Sequence, residues 1–242
     1  MHVKHLGIDQ YFCGSVLWLL CYIVLEDSAS ENLARVVLKA KEWWTANKYG
    51  DHFNNIKLSM FHDPAKPYEQ FPKLKGRAAE IKNLVPALLH IWTAYSDPTD
   101  TLHKLISFGL RCSHRLDQIM HEHVKDDVLP PDTAREWKTC VFAFLACQTK
   151  LARSFNNDGF KLFNVTVKSH ALAHIGLDAQ KLNPRRGWCY AGEHMMHNQR
   201  VLASSCCRGN TAHQASSKMT QKYRFGMHLQ MTPDSLRRGR LI

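Results

Sequence analysis

Acidic residues almost vanish from the last quarter of this 242-residue chain. Between Lys181 and Ile242 eleven Lys and Arg stand against two acids, Glu193 and Asp234, so that stretch carries +9 of a net charge of +11. The first 180 residues are nearly balanced. With a sequence pI near 9.3, the imbalance points to an acidic partner, most simply nucleic acid, with an anionic membrane surface second. A long membrane-crossing run is lacking too. Tyr11 to Leu25 is apolar for fifteen residues, contains Gly14 and Ser15, and stops at Glu26-Asp27. A spanning helix needs about 20 such residues, so the run is expected to be a buried core helix, with no membrane as partner.

Other absences narrow the chemistry. The eight Cys show no repeated C-x-x-C pairing and no small-residue cleavage site follows the apolar run, so reduced thiols in an intracellular setting are expected. There is no G-x-x-x-x-G-K-[ST] loop, which argues against a nucleoside triphosphate or dinucleotide cofactor, and no G-x-S-x-G turn surrounds Ser204, Ser205, Cys206 and Cys207. His170 and His174 share a helix face but enclose no Glu. His121-Glu122 has Lys125 where a second His belongs, and Tyr190 replaces the first His of an inverted zinc motif ending at Glu193-His194. A structural zinc joining His170, His174, Cys189 and Cys206 lacks closely spaced ligand pairs, so packed or surface histidines are the better expectation.

What is present is mostly helical. A hydrophobic share of 45% and six Trp argue for a packed core in one large domain or two small ones. Ser28 and Glu31 form a capping-box pattern before Leu33, Val36, Val37, Ala40 and Trp44. Asp51 to Pro72 lacks periodicity and reads as an extended connection. Arg77 to Tyr95 is helical, with Pro86 implying a kink or two helices. Ser96 to Thr99 makes a stop, after which Leu102, Leu105, Ile106, Leu110, Leu116 and Ile119 lie on one face. Leu129-Pro130-Pro131 breaks the chain again, before Trp137, Val141, Phe144, Leu145 and Leu151 at helical spacing. Leu162 to Val167, with Val165 and Val167 alternating, predicts a short strand. Three further helices are expected between Lys168 and Met231, separated at Asn183-Pro184 and Gly209-Asn210.

Three stretches carry a family resemblance. Met1-His2 followed by Leu6-Gly7 and an apolar helix resembles the "D-x-M-H-x-x-x-L-G" segment of CACTA-type and KDZ-type transposases. Phe71 to Leu89 is similar to the "K-L-x-x-x-E-W" helix of their helical insertion. Val167 to His174, then Asn183-Pro184-Arg185 and Trp188 to Glu193, resemble their "K-x-H-x-L-x-H … G-P … W-x-[FY]-x-x-E" block. Order and approximate spacing agree across roughly residues 1 to 205. The resemblance implies a DDE-type enzyme with an RNase H-like core, in which two Asp and one Glu bind two Mg²⁺ or Mn²⁺ ions for strand transfer. Glu193 matches the final Glu and would be the catalytic and metal-binding residue. His170 and His174 match the His pair, in a supporting role.

The departures shape the expectation. The Asp that should precede the Met-His pair is absent, the earlier Asp would also lie upstream, and Asp9 stands on the far side of Gly7. An incomplete site implies that this chain does not cleave strands by itself. The expected architecture is mainly α: a helical bundle with at most one or two short strands left from a truncated RNase H-like core. Residues 1–160 would be the helical region, 161–232 the segment carrying Glu193, and 233–242 a basic tail. Arg185, Arg186, Arg200, Arg208, Lys218, Lys222 and Arg224 would neutralise DNA phosphates. A nuclear location follows if the resemblance holds, and a chain lacking its core sheet is expected to expose apolar surface and self-associate. The alternative is a non-enzymatic helical interaction module with a basic nucleic-acid-binding face.

Overall fold

Local sequence sets each helix boundary. The computed structural model describes residues 2–187, 200–207, 209 and 211–231. The first helix, α1 (Lys4–Val24), is longer than the apolar run that suggested it. It is α-helical over Gln10–Leu19 and widens into π-turns at Lys4–Asp9 and Leu20–Val24. It is long and apolar enough to cross a membrane, yet 78% of its most apolar window is buried inside the protein itself. The next helix, α2 (Ala29–Ala46), opens on the expected capping box. Ser28 Oγ accepts from the Glu31 amide, and the Glu31 carboxylate accepts from the Ser28 amide. Helix α3 (Ala78–Tyr95) runs through Pro86 as one helix rather than two. Asp100 caps α4 (Thr101–Glu122), and Pro131 occupies the first turn of α5 (Pro131–Asn157), where its missing N–H has no helical partner to lose.

The chain divides into two compact units, Met1–Trp188 and Cys189–Ile242. In the first, α4 lies along α5, α3 against α4, and α2 against α3, while α1 packs on α3. Trp18, Trp44, Trp92, Trp137, Phe12 and Phe144 are all fully buried. Indole N–H groups stitch elements together: Trp44 donates to the Asn83 carbonyl (2.8 Å) and Trp92 to that of His103 (3.1 Å). The segment between α2 and α3 is irregular apart from a 3₁₀ turn at Leu58–Met60, but it is no mere surface excursion. Phe53, Ile56, Phe61 and His62 are buried.

The strand expected at Leu162 to Val167 does not form, and no strand occurs among the described residues. Phe163 takes φ +53, outside the extended region, and its amide donates to Ser15 Oγ (2.8 Å) instead of to a neighbouring strand. Val165 is 46% and Val167 81% exposed, so their alternation faces no apolar layer. Val167 begins α6 (Val167–Asp178), capped by Thr166. The second unit contains α7 (residues 200–207) and α8 (Ala212–Met231). The fold is mainly α.

Candidate functional site

The N-terminal π-turn sets up the most unusual chemistry in the protein. Widening the helix brings positions five apart onto one face. The Ile8 amide accordingly reaches back to the Val3 carbonyl (3.1 Å), and Lys4 faces Asp9. On α4, Ser113 and Asp117 are four residues apart and share a face. The two faces meet in the core. Lys4 Nζ donates to Asp9 Oδ2 (2.8 Å), Asp117 Oδ2 (2.8 Å) and Ser113 Oγ (3.0 Å). Ser113 Oγ donates to Asp9 Oδ1 (2.9 Å), and His5 Nε2 lies 2.8 Å from Asp117 Oδ1. All five residues are buried.

Burial alone would push the Lys4 ammonium towards neutrality. The Asp117 and Asp9 carboxylates outweigh it and hold Lys4 above the ordinary lysine range. Burial likewise raises Asp117, but Lys4 and His5 outweigh it and keep that carboxyl well below its ordinary range. His5, Asp9 and Asp117 present ligand atoms within 4.8 Å of one another, a spacing a metal ion could use. The ammonium of Lys4 already lies 2.8 Å from both carboxylates, however, and supplies the positive charge they need. The donor set therefore fits an internal ion network better than a resident divalent cation.

Asp117 is also the floor of a cavity of about 360 Å³ between the end of α2, the first half of α3 and the second half of α4. Lys82, Asn83 and His114 form its half-buried walls, and Lys48, Gln118 and His121 its exposed rim. Burial lowers Lys82, against the pull of Asp117, and lowers His114 in the same way. Pro86, in the same wall, offers no N–H to the Lys82 carbonyl one turn back.

The residues expected from sequence are scattered. Glu193 lies outside the described residues, as do Trp188, Cys189, Tyr190 and Arg208. His170 and His174 are exposed on α6, with their Nε2 atoms 3.0 Å apart, and they touch neither Asp9 nor Asp117. Arg186 is held by Asp127 (2.7 Å) and by the Lys125 carbonyl (2.9 Å). Arg185 is half-buried and its charge reaches Lys82. Arg200, Lys218, Lys222 and Arg224 are exposed in the second unit, where Lys222 Nζ donates to Ser205 Oγ (3.1 Å).

The three resemblance-bearing stretches do meet on α1. Lys168 Nζ donates to the Leu6 carbonyl (2.8 Å), and the Leu74 amide donates to the Gln10 carbonyl (2.9 Å). Gly7 makes the first contact possible: a Cβ there would lie 2.4 Å from Lys168 Cδ and 2.9 Å from the His2 carbonyl oxygen. The sequence did not single out Lys4, His5, Ser113 or Asp117, and Asp9 entered only as a poor substitute for the missing Asp. One signal was available: Asp9 is an acid at the edge of an apolar run, and a buried acid requires a buried partner. No protein-family model matches the chain, and no curated protein or solved structure resembles it.

Proposed function

We propose that this chain is a transposase-derived protein that binds nucleic acid through its acid-free C-terminal helix and does not itself cut a strand. The observation that carries the binding is α8. From Thr211 to Met231 there is no acid, and Lys218, Lys222 and Arg224 all project into solvent. Tyr223, between Lys222 and Arg224, is 42% exposed, and Phe225, next after Arg224, is 64% exposed. Cations neutralise phosphates and release condensed counterions, while exposed rings offer faces to unpaired bases. Such binding is salt-sensitive and largely independent of sequence.

The second half of the proposal follows from the buried network. Two-metal strand transfer needs carboxylates free to hold Mg²⁺ or Mn²⁺. Asp9 and Asp117 are the buried pair beside the resemblance-bearing N-terminus, and both are committed to Lys4. The role of Glu193 rests on the resemblance alone.

Fluorescence anisotropy with a labelled DNA duplex tests the binding. Three phosphate contacts give a log–log salt slope of about −2.7, an affinity loss of about 40-fold between 50 and 200 mM salt. Substituting Lys218, Lys222 and Arg224 together by Gln should remove most of that slope, and Glu193→Gln should leave it unchanged. An unaltered slope in the triple variant would overturn the assignment to α8. Strand transfer by the unmodified chain in Mg²⁺ or Mn²⁺ would overturn the claim that it does not cut.

A further inference from the structure

A groove of about 680 Å³ runs between α2 and the irregular segment that follows it. Leu33, Ala34, Val37, Leu38 and Lys41 recur at the three- and four-residue spacing of a single helix stripe and form one wall. Leu33 and Val37 are buried, but Leu38 stands 57% exposed over the groove. The opposite wall carries Ile56, Lys57, Leu58 and Pro64, and its shape is set before anything binds. The Met60 amide donates to the Lys57 carbonyl (2.9 Å), the Lys57 amide to the Met60 sulfur (3.4 Å), and the Lys75 amide to the Met60 carbonyl (2.7 Å).

The charge around this apolar floor has one sign. No acid lines the groove, and Lys41 and Lys57 stand on its two walls. Among the described residues their ammonium groups make no hydrogen bond or ion pair. The acids of the surrounding chain are engaged elsewhere: Glu31 with Ser28, Glu42 with Lys39, and Asp63 with the Ala65 amide. From Ser30 to Lys41 the α2 wall is about 17 Å long, three helical turns.

We infer that this groove seats an amphipathic helix of another protein, about three turns long, whose apolar stripe meets Leu38 and Ile56 and whose flanking Asp or Glu side chains meet Lys41 and Lys57. The length and the apolar floor suit a helix lying along α2. An extended peptide would need a sheet edge to join, and no strand occurs among the described residues. A second copy of this chain related by a two-fold axis would bring these same lysines against each other, which like charge disfavours. The surface belongs to the first unit and does not depend on nucleic-acid binding by α8.

Fluorescence anisotropy on the whole chain tests this with two labelled peptides, stapled into helices because so short a helix is marginal by itself. Both carry Leu at i, i+3, i+4 and i+7; one has Glu and the other Lys at the flanking positions. The Glu peptide should bind about 10-fold more tightly than the Lys peptide at low salt, and the preference should shrink as salt rises. Reversing both charges, Lys41→Glu with Lys57→Glu, should turn the preference over in favour of the Lys peptide, which adhesion of any apolar helix would not do. Leu38→Asp, at an exposed position, should weaken both peptides by about 10-fold while leaving Tm unchanged. The triple α8 variant should bind the Glu peptide as the parent does; loss of binding there would mean that α8 had captured the acids and would overturn the inference. Equal binding of the two peptides, no binding of either, or a folded Leu38→Asp protein that binds as the parent does would overturn it too. So would a dimer in sedimentation velocity that Leu38→Asp dissolves, which would give this face to a second copy of the chain.

Discussion

Lys4 shows how a single side chain can govern the titration of a core. Replacing it by Met would leave Asp9 and Asp117 facing each other with no ammonium between them. Breaking a buried ion pair in this way costs about 3–5 kcal/mol, which urea denaturation at neutral pH would detect. The pH dependence separates charge from packing. Asp117 is depressed in the folded state, so its contribution is present above the unfolded value of about 3.9 and fades as pH falls below it. Lys4 is raised, so its contribution is full below about 10.4 and fades as pH climbs past that value. In Lys4→Met the orphaned carboxyls would instead take up protons readily. The stability gap between the two proteins should therefore narrow between pH 7 and pH 4; a constant gap would mean that the methylenes of Lys4 matter more than its charge. Little of this was legible in the sequence. Asp9 beside an apolar run hinted at a buried partner, but Ser113 and Asp117 sit in a helix rich in polar residues, and only the packing of α1 on α4 distinguishes them from solvated neighbours.

Helices and their ends were legible because they depend on local chemistry. The Ser28–Glu31 box, the stop at Ser96 to Thr99 and the Pro130-Pro131 break each act within a single turn, so neighbouring residues suffice to read them. The strand expected at Leu162 to Val167 failed because its partner is a long-range matter: Phe163 turns away to meet Ser15, which lies far off in sequence. The π-turn was illegible for the same reason, since what rewards it is the contact between α1 and α4. Close approach of elements makes a sharper prediction. A Cβ on Gly14 in α1 would lie 2.9 Å from the Pro72 carbonyl oxygen, a backbone atom that cannot swing aside. Alanine improves helix propensity by up to about 1 kcal/mol, while overpacking costs about 1–3 kcal/mol. Gly14→Ala should therefore lower stability by about 1–2 kcal/mol in chemical denaturation, whereas Gly50→Ala, with open space around it, should leave it unchanged.

Across the whole molecule, the buried network and the basic helix α8 fall in different units. Residues 1–187 contain the buried network and the buried Trp18, Trp44, Trp92 and Trp137, whereas α8 lies in the other unit. A protein ending at residue 187 should melt cooperatively by circular dichroism and lose the steep salt dependence of DNA binding; a non-cooperative melt would show that the first unit does not stand alone. Thiol chemistry offers an independent check on burial. Burial pushes the Cys21 and Cys147 thiols up to about 12 and Cys112 up to about 11, and thiols held neutral react slowly. Cys207 is exposed. Among the described cysteines it should be labelled first by a thiol reagent in the native protein, with Cys13, Cys21 and Cys147 following only on unfolding. The charge imbalance that suggests nucleic acid was plain from composition, because net charge needs no folding to be counted. The cavity was not, because Lys48, Lys82 and His114 come from three separate helical regions. Lys4 has one more consequence. With its counterion supplied by a side chain of its own sequence, the core should be insulated from the mineral supply around it: exhaustive chelation should leave its melting temperature where it was, and the fold would be as secure in a medium stripped of divalent salts as in one replete with them.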